Sequence, residues 1–179
     1  ISSRGNRNVK LNMHHRDGGK GTILIKTPAN LKTVEPAFGK DERYIWYSRR
    51  TGSWQYNAKF PQYQLAKYDR ETGKSKTMTS RYGSAFSPTL SSNGKWLVYG
   101  TRWNDETGLI SRNLENGEEK WLAYPIQKDD QESQATLGVL PAMTFTPDSQ
   151  NILASYGGKI NSIPINGGKA KNLSLIHIS

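Results

Sequence analysis

The stretch Ser84-Ala85-Phe86-Ser87-Pro88-Thr89-Leu90-Ser91-Ser92-Asn93-Gly94-Lys95-Trp96-Leu97-Val98-Tyr99, continued by Leu109-Ile110-Ser111-Arg112-Asn113-Leu114-Glu115-Asn116-Gly117-Glu118-Glu119-Lys120-Trp121-Leu122, reads as one antiparallel β unit. Trp96 to Tyr99 is a short apolar run of strand-favouring residues. It starts just after Asn93-Gly94, a dipeptide able to take the positive φ angles of a tight hairpin turn. Leu109 to Leu114 is the next strand, and Glu115-Asn116-Gly117-Glu118 turns it back into Lys120-Trp121-Leu122. A four-stranded sheet of this kind cannot bury both of its faces alone.

The unit recurs on either side. Gly39-Lys40-Asp41-Glu42-Arg43 precedes Tyr44-Ile45-Trp46-Tyr47, and Pro147-Asp148-Ser149-Gln150 precedes Ile152-Leu153-Ala154, as Ser92-Asn93-Gly94-Lys95 precedes Trp96. Asp41, Asn93 and Asp148 stand 52 and 55 residues apart. A second turn repeats in step with the first, at Gly19, Gly73, Gly117 and Gly168, spaced by 54, 44 and 51 residues. Two turn signals recurring together at about 50 residues are the signature of a repeat whose unit is a four-stranded blade, a β-propeller. Trp46, Leu97 and Leu153, each in the apolar run after its turn, are expected in buried strands covered on both faces by neighbouring blades.

Phe86-Ser87-Pro88 with Ser92-Asn93-Gly94-Lys95-Trp96-Leu97-Val98-Tyr99, and Phe145-Thr146-Pro147-Asp148-Ser149, resemble the Phe-Ser-Pro-Asp-Gly-Lys motif of TolB-like, WD40-like (PD40) propeller repeats. Ser92-Asn93 stands where the motif has Pro-Asp, and Lys40-Asp41-Glu42 where it has Pro-Asp-Gly. A narrower resemblance lies in Trp121-Leu122-Ala123-Tyr124-Pro125, Asp129-Asp130-Gln131-Glu132-Ser133, Val139-Leu140-Pro141 and Ser155-Tyr156-Gly157-Gly158-Lys159-Ile160. These segments are similar to the propeller region that precedes the catalytic domain in bacterial amidohydrolase-family proteins. That resemblance implies an exported bacterial protein, periplasmic or secreted, and a catalytic domain elsewhere in the same chain that holds a zinc-type divalent metal.

Composition sets the outer limits. With 34% hydrophobic residues, the chain has no run of about 18 apolar residues that could cross a membrane. It has no cysteine, which excludes disulfides and thiolate metal sites. The net charge of +10 raises the possibility of nucleic-acid binding. The distribution argues against it, because Lys20, Lys40, Lys74, Lys95, Lys120, Lys159 and Lys169 are scattered over turns and strand ends, where they solvate hairpin tips and protect edges. No nucleic-acid partner is expected.

In chain order, residues 1–33 read as the later strands of a blade plus a linker, 34–80 and 81–122 as two blades, 123–139 as a connection, 140–173 as a further blade and 174–179 as a non-native tail. The whole is an all-β, partial propeller of about three and a half blades. Two stretches are candidate interaction surfaces. The insertion from Arg49 to Pro61 carries Trp54, Tyr56 and Phe60 among polar residues, either packed on its own blade or offered to a ligand or neighbouring domain. The long connection from Ala123 carries Asp129, Asp130 and Glu132, whose spacing does not match an EF-hand loop. Solvation or docking against a catalytic domain is the stronger reading there.

The catalytic inventory is short. His14 and His15 are adjacent on a strand and point to opposite faces, and His177 lies in the tail. There is no His-X-His pair of the kind amidohydrolases use, and no Gly-X-Ser-X-Gly elbow. No catalytic residue, metal ligand or cofactor is assigned within this chain, and it is expected to be a non-catalytic scaffold, substrate-access or interaction segment of a larger protein. A free-standing TolB-like module that binds a protein, or the propeller of a serine peptidase, stand as alternatives.

Overall fold

The computed structural model describes residues 2–5, 8–25, 32–52, 60–128 and 142–173, and among these every element is a strand. Four antiparallel sheets follow one another along the chain. The first has three strands, β1 (Ser2–Gly5), β2 (Asn8–Met13) and β3 (Thr22–Ile25). The second runs β4 (Thr33–Phe38), β5 (Tyr44–Arg50), β6 (Tyr63–Asp69) and β7 (Ser75–Thr77). The third is β8 (Phe86–Leu90), β9 (Trp96–Trp103), β10 (Glu106–Asn113) and β11 (Glu119–Lys128). The fourth is β12 (Met143–Phe145), β13 (Asn151–Tyr156), β14 (Lys159–Pro164) and β15 (Lys171–Leu173). Strands within each sheet pair in sequence order, the meander of a propeller blade. The architecture is a partial all-β propeller.

The turns repeat at the level of single hydrogen bonds. Asp41, Asn93 and Asp148 each accept the backbone N–H two residues on, from Arg43 (2.9 Å), Lys95 (3.0 Å) and Gln150 (3.0 Å). A side-chain oxygen is all this Asx turn requires, so Asp and Asn serve equally and the motif tolerates its departures. A second pair emerges only in three dimensions. Asp69 and Asn113 open the outer turns, accepting from Glu71 N and Glu115 N at 2.9 Å each, and Gly73 and Gly117 close them at φ 67 and φ 78.

Because side chains alternate across a strand, each central blade feeds two cores. Leu11, Ile45, Tyr47, Ala66 and Tyr68 fill the space between the first and second sheets. Trp46, Leu65, Ala85, Leu97, Tyr99 and Ile110 fill that between the second and third. Phe86, Val98, Leu109, Leu122, Ile152, Ala154, Ile163 and Ile165 join the third to the fourth. Trp46 and Leu97 are buried as the pattern predicts, but Leu153 is only half-buried. Its neighbours Ile152 and Ala154 face the third sheet, whereas among the described residues no apolar cluster lies against Leu153. β11 also extends to Lys128, into the stretch read as a connection, because after a bulge Ala123 and Gln127 keep their pairing with Leu109 and Thr107, and Ala123 and Ile126 pack on the core.

Neighbouring blades are also fastened near their first strands. β4 and β8 carry equivalent bulges, between Val34 and Ala37 and between Phe86 and Thr89, with Glu35 and Ser87 both in the left-handed region at φ 55 and 56. This backbone aims the Glu35 carboxylate at the next blade. It accepts from Ser48 Oγ (2.8 Å), Ser87 N (2.6 Å) and Ser87 Oγ (2.8 Å). The conformation costs about 1 to 3 kcal/mol per residue, and three bonds to a charged acceptor offset it.

Candidate functional site: a cationic and aromatic groove between blades

Where the second blade hands the chain to the third, Met78–Gly83 passes alongside β9, β10 and the start of β11. The two sides enclose a groove of about 420 Å³ that reaches from Trp103 and Tyr82 to Arg112 and Gly117. Gly83 makes the approach possible, since a Cβ there would overlap the carbonyl oxygen of Arg102.

The floor is a charged cluster. Glu119 Oε2 accepts from Arg81 Nη1 at 3.1 Å, and Oε1 accepts from Tyr99 OH at 2.8 Å while Arg112 Nη1 stands 3.6 Å away. Arg81 Nε also donates to Thr101 Oγ1 (3.3 Å), and Arg112 Nη1 to the Met78 carbonyl (3.0 Å). Burial, reinforced by the Glu119 charge, pushes the Tyr99 phenol well above its ordinary value, so it stays protonated and acts as a donor. Two guanidiniums therefore converge on one carboxylate. Their side chains are 30% and 24% exposed, within reach of solvent yet held in place.

The rim is aromatic. Tyr82 is 81% exposed and Trp103 59%. Next to them on the same blade lie Trp121 and Tyr124, ring centroids 4.9 Å apart, with the Arg81 guanidinium 5.9 Å from the Trp121 ring and Tyr124 OH donating to the Trp103 carbonyl at 2.9 Å. Every large exposed Trp or Tyr among the described residues thus belongs to this neighbourhood. A larger hollow of about 680 Å³ adjoins the groove at Met78 and Arg112, which line both, and is lined also by Lys40, Tyr44, Trp46, Lys67 and Leu90. There the Lys67 ammonium sits 4.1 Å from the Tyr44 ring centroid, so its charge is already stacked on its neighbour.

Of the residues singled out from sequence, Trp54, Tyr56, Asp129, Asp130 and Glu132 lie outside the described residues. Phe60 is half-buried, and the Arg102 guanidinium stacks 4.7 Å from its ring centroid, joining the insertion to the third blade. His14 and His15 are exposed on the first sheet's hairpin, with His15 Nδ1 3.5 Å from Asp17. The sequence reading did not assemble Arg81, Tyr99, Tyr82, Trp103, Arg112 and Glu119, which come from four different segments. The available signal was Trp and Tyr at strand ends, where side chains do not support a blade core.

No family profile matches the sequence, and neither does any curated protein. Solved structures do. A TolB from Agrobacterium tumefaciens superposes with a TM-score of 0.69 at 11% identity, over 96% of this chain and 59% of the TolB chain. A nidogen/laminin complex matches at 0.64 and 11% identity, over 94% of this chain and 58% of that one. An oligogalacturonate lyase in complex with manganese matches at 0.57 and 18% identity, over 85% and 39%. The chain thus spans less than two thirds of the length of each of these structures. In fold, its four sheets are blades of a β-propeller, similar to those of these structures.

Proposed function

We propose that this propeller arc is the non-catalytic scaffold and interaction segment of a larger, exported, amidohydrolase-like protein, whose zinc-type metal and catalytic residues lie in another domain of that protein. The observation that carries the reading is the groove at Met78–Gly83. Its side chains form a recognition set, with a protonated phenol, an ion-paired carboxylate, two converging guanidiniums and exposed aromatic rings. Trp, Tyr and Arg together are the composition of binding hot spots. The link to amidohydrolases rests on the resemblance of the segments around Trp121, Asp129, Val139 and Tyr156. Docking against a catalytic domain would use this blade.

The test is the reading frame beyond the fourth blade, together with an assay. A barrel domain bearing His-X-His is expected there, and the purified 179-residue chain should give no zinc-restorable hydrolysis of amide or ester substrates. A stop codon directly after the blade would instead select a free-standing TolB-like protein-binding module, the reading that the exposed aromatic rim also supports. A Gly-X-Ser-X-Gly domain would select a serine-peptidase propeller. Turnover that EDTA abolishes and zinc restores in this chain would overturn the proposal.

A further inference from the structure

We propose that the groove between Met78–Gly83 and the third blade binds an extended acidic peptide, with a carboxylate seated on Arg81 and Arg112 and an apolar side chain on Tyr82 and Trp103. Charge comes first. Glu119 is the one carboxylate lining the groove, against the guanidiniums of Arg81 and Arg112, so one positive charge is left over. Donors come second. Arg81 uses Nε and Nη1, and Arg112 uses Nη1, whereas among the described residues Nη2 of each donates to nothing. Two guanidinium edges so placed suit an incoming carboxylate, which accepts paired N–H groups.

Shape decides what kind of anion. Arg112 stands six residues along β10 from Glu106, which pairs with Trp103, so Arg112 and Trp103 lie about 20 Å apart at strand rise, with Arg81 and Tyr82 side by side on the facing segment. That span suits some six extended residues. The third arginine in the lining, Arg102, is only 5% exposed and stacks on Phe60, so beyond Arg81 the Trp103 end adds no accessible cation. A polyuronate repeats its carboxylates along its whole length and would set some of them against Tyr82 and Trp103. A peptide can alternate an acidic side chain with an apolar one and match both ends.

The test uses the full 179-residue chain and a hexapeptide, acetyl-Phe-Gly-Leu-Gly-Glu-Glu-amide, titrated by calorimetry and by tryptophan fluorescence. The same peptide with Gln for Glu and an oligogalacturonate hexamer serve as comparisons. Saturable binding of the acidic peptide is expected, weakened at least tenfold by Gln for Glu, by Arg81→Lys and by Arg112→Gln, and weakened by rising salt. Trp103→Ala, an exposed change that leaves the core untouched, is expected to weaken binding about fivefold or more. Circular dichroism identifies any variant that has lost its strands. The proposal is overturned if neither peptide binds at millimolar concentration, if both bind equally, if folded variants bind like the parent, or if the oligogalacturonate binds more tightly than the peptide. Because these readouts need no catalytic domain, the proposal can fail while the scaffold reading stands, and the reverse.

Discussion

Glu35 shows how much one side chain can hold between blades. Its carboxylate satisfies Ser48 Oγ and both donors of Ser87. Glu35→Ala is expected to destabilise the chain by about 2 to 3 kcal/mol, since buried donors lose a charged acceptor, and Glu35→Gln by about half as much. A shift of the urea midpoint checks this, and unchanged midpoints would show the clasp to be idle. Asp69 makes a prediction about pH. Hydrogen bonds from Arg43, backed by the Glu71 and Thr72 N–H groups, hold its carboxyl well below the ordinary carboxylate range, and Thr146 does the same for Asp148 to a smaller degree. A carboxylate depressed in the folded state stabilises above its unfolded value of about 3.9, and that stability is lost as pH falls through the native value. The gap in urea midpoint between the parent and Asp69→Asn is therefore expected to be widest at neutral pH and to close below about pH 4. A gap that is constant with pH would show that the ion pair does not stabilise the fold.

Strand faces decide what a core residue contributes. Leu97 lies at 0% exposure between the second and third blades, while Leu153, in the equivalent run of the fourth, is only half-buried. Leu97→Ala should cost about 3 to 5 kcal/mol and Leu153→Ala about 1 kcal/mol or less, as measured by chemical denaturation. Equal losses would mean that the fourth blade is covered on both faces. The inner turns at Asp41, Asn93 and Asp148 were legible in the sequence because an Asx turn needs one named residue at one position. The bulges of β4 and β8 were not, because the left-handed backbone falls on Glu35 and Ser87 rather than on glycine. Nor was the extension of β11, since bulged pairing breaks the alternation that marks a strand. The groove stayed hidden for another reason: Arg81 meets Glu119 and Arg112 meets Met78 across turns and loops that no local pattern encodes.

At the scale of the whole molecule, each blade is stabilised by the blade beside it, and three apolar cores hold four sheets together. Such repeats close into rings of four to eight blades, which leaves only short, protected edges. In this arc, Leu153 on the last blade is only half-buried, and Ile23 and Met13 on the first are 47% and 41% exposed. Covering a side chain of that size is worth about 1.5 to 3 kcal/mol, so a few of them weigh heavily against a domain's net stability of roughly 5 to 15 kcal/mol. These blades form an open arc whose terminal faces require cover. Size-exclusion chromatography with light scattering, followed by a thermal melt of the 179-residue chain, tests it most directly. Concentration-dependent association, or a broad transition in which the end blades melt first, is the predicted result. A monodisperse 20.1 kDa monomer with a single sharp transition above about 50 °C, as complete mesophile domains show, would contradict it.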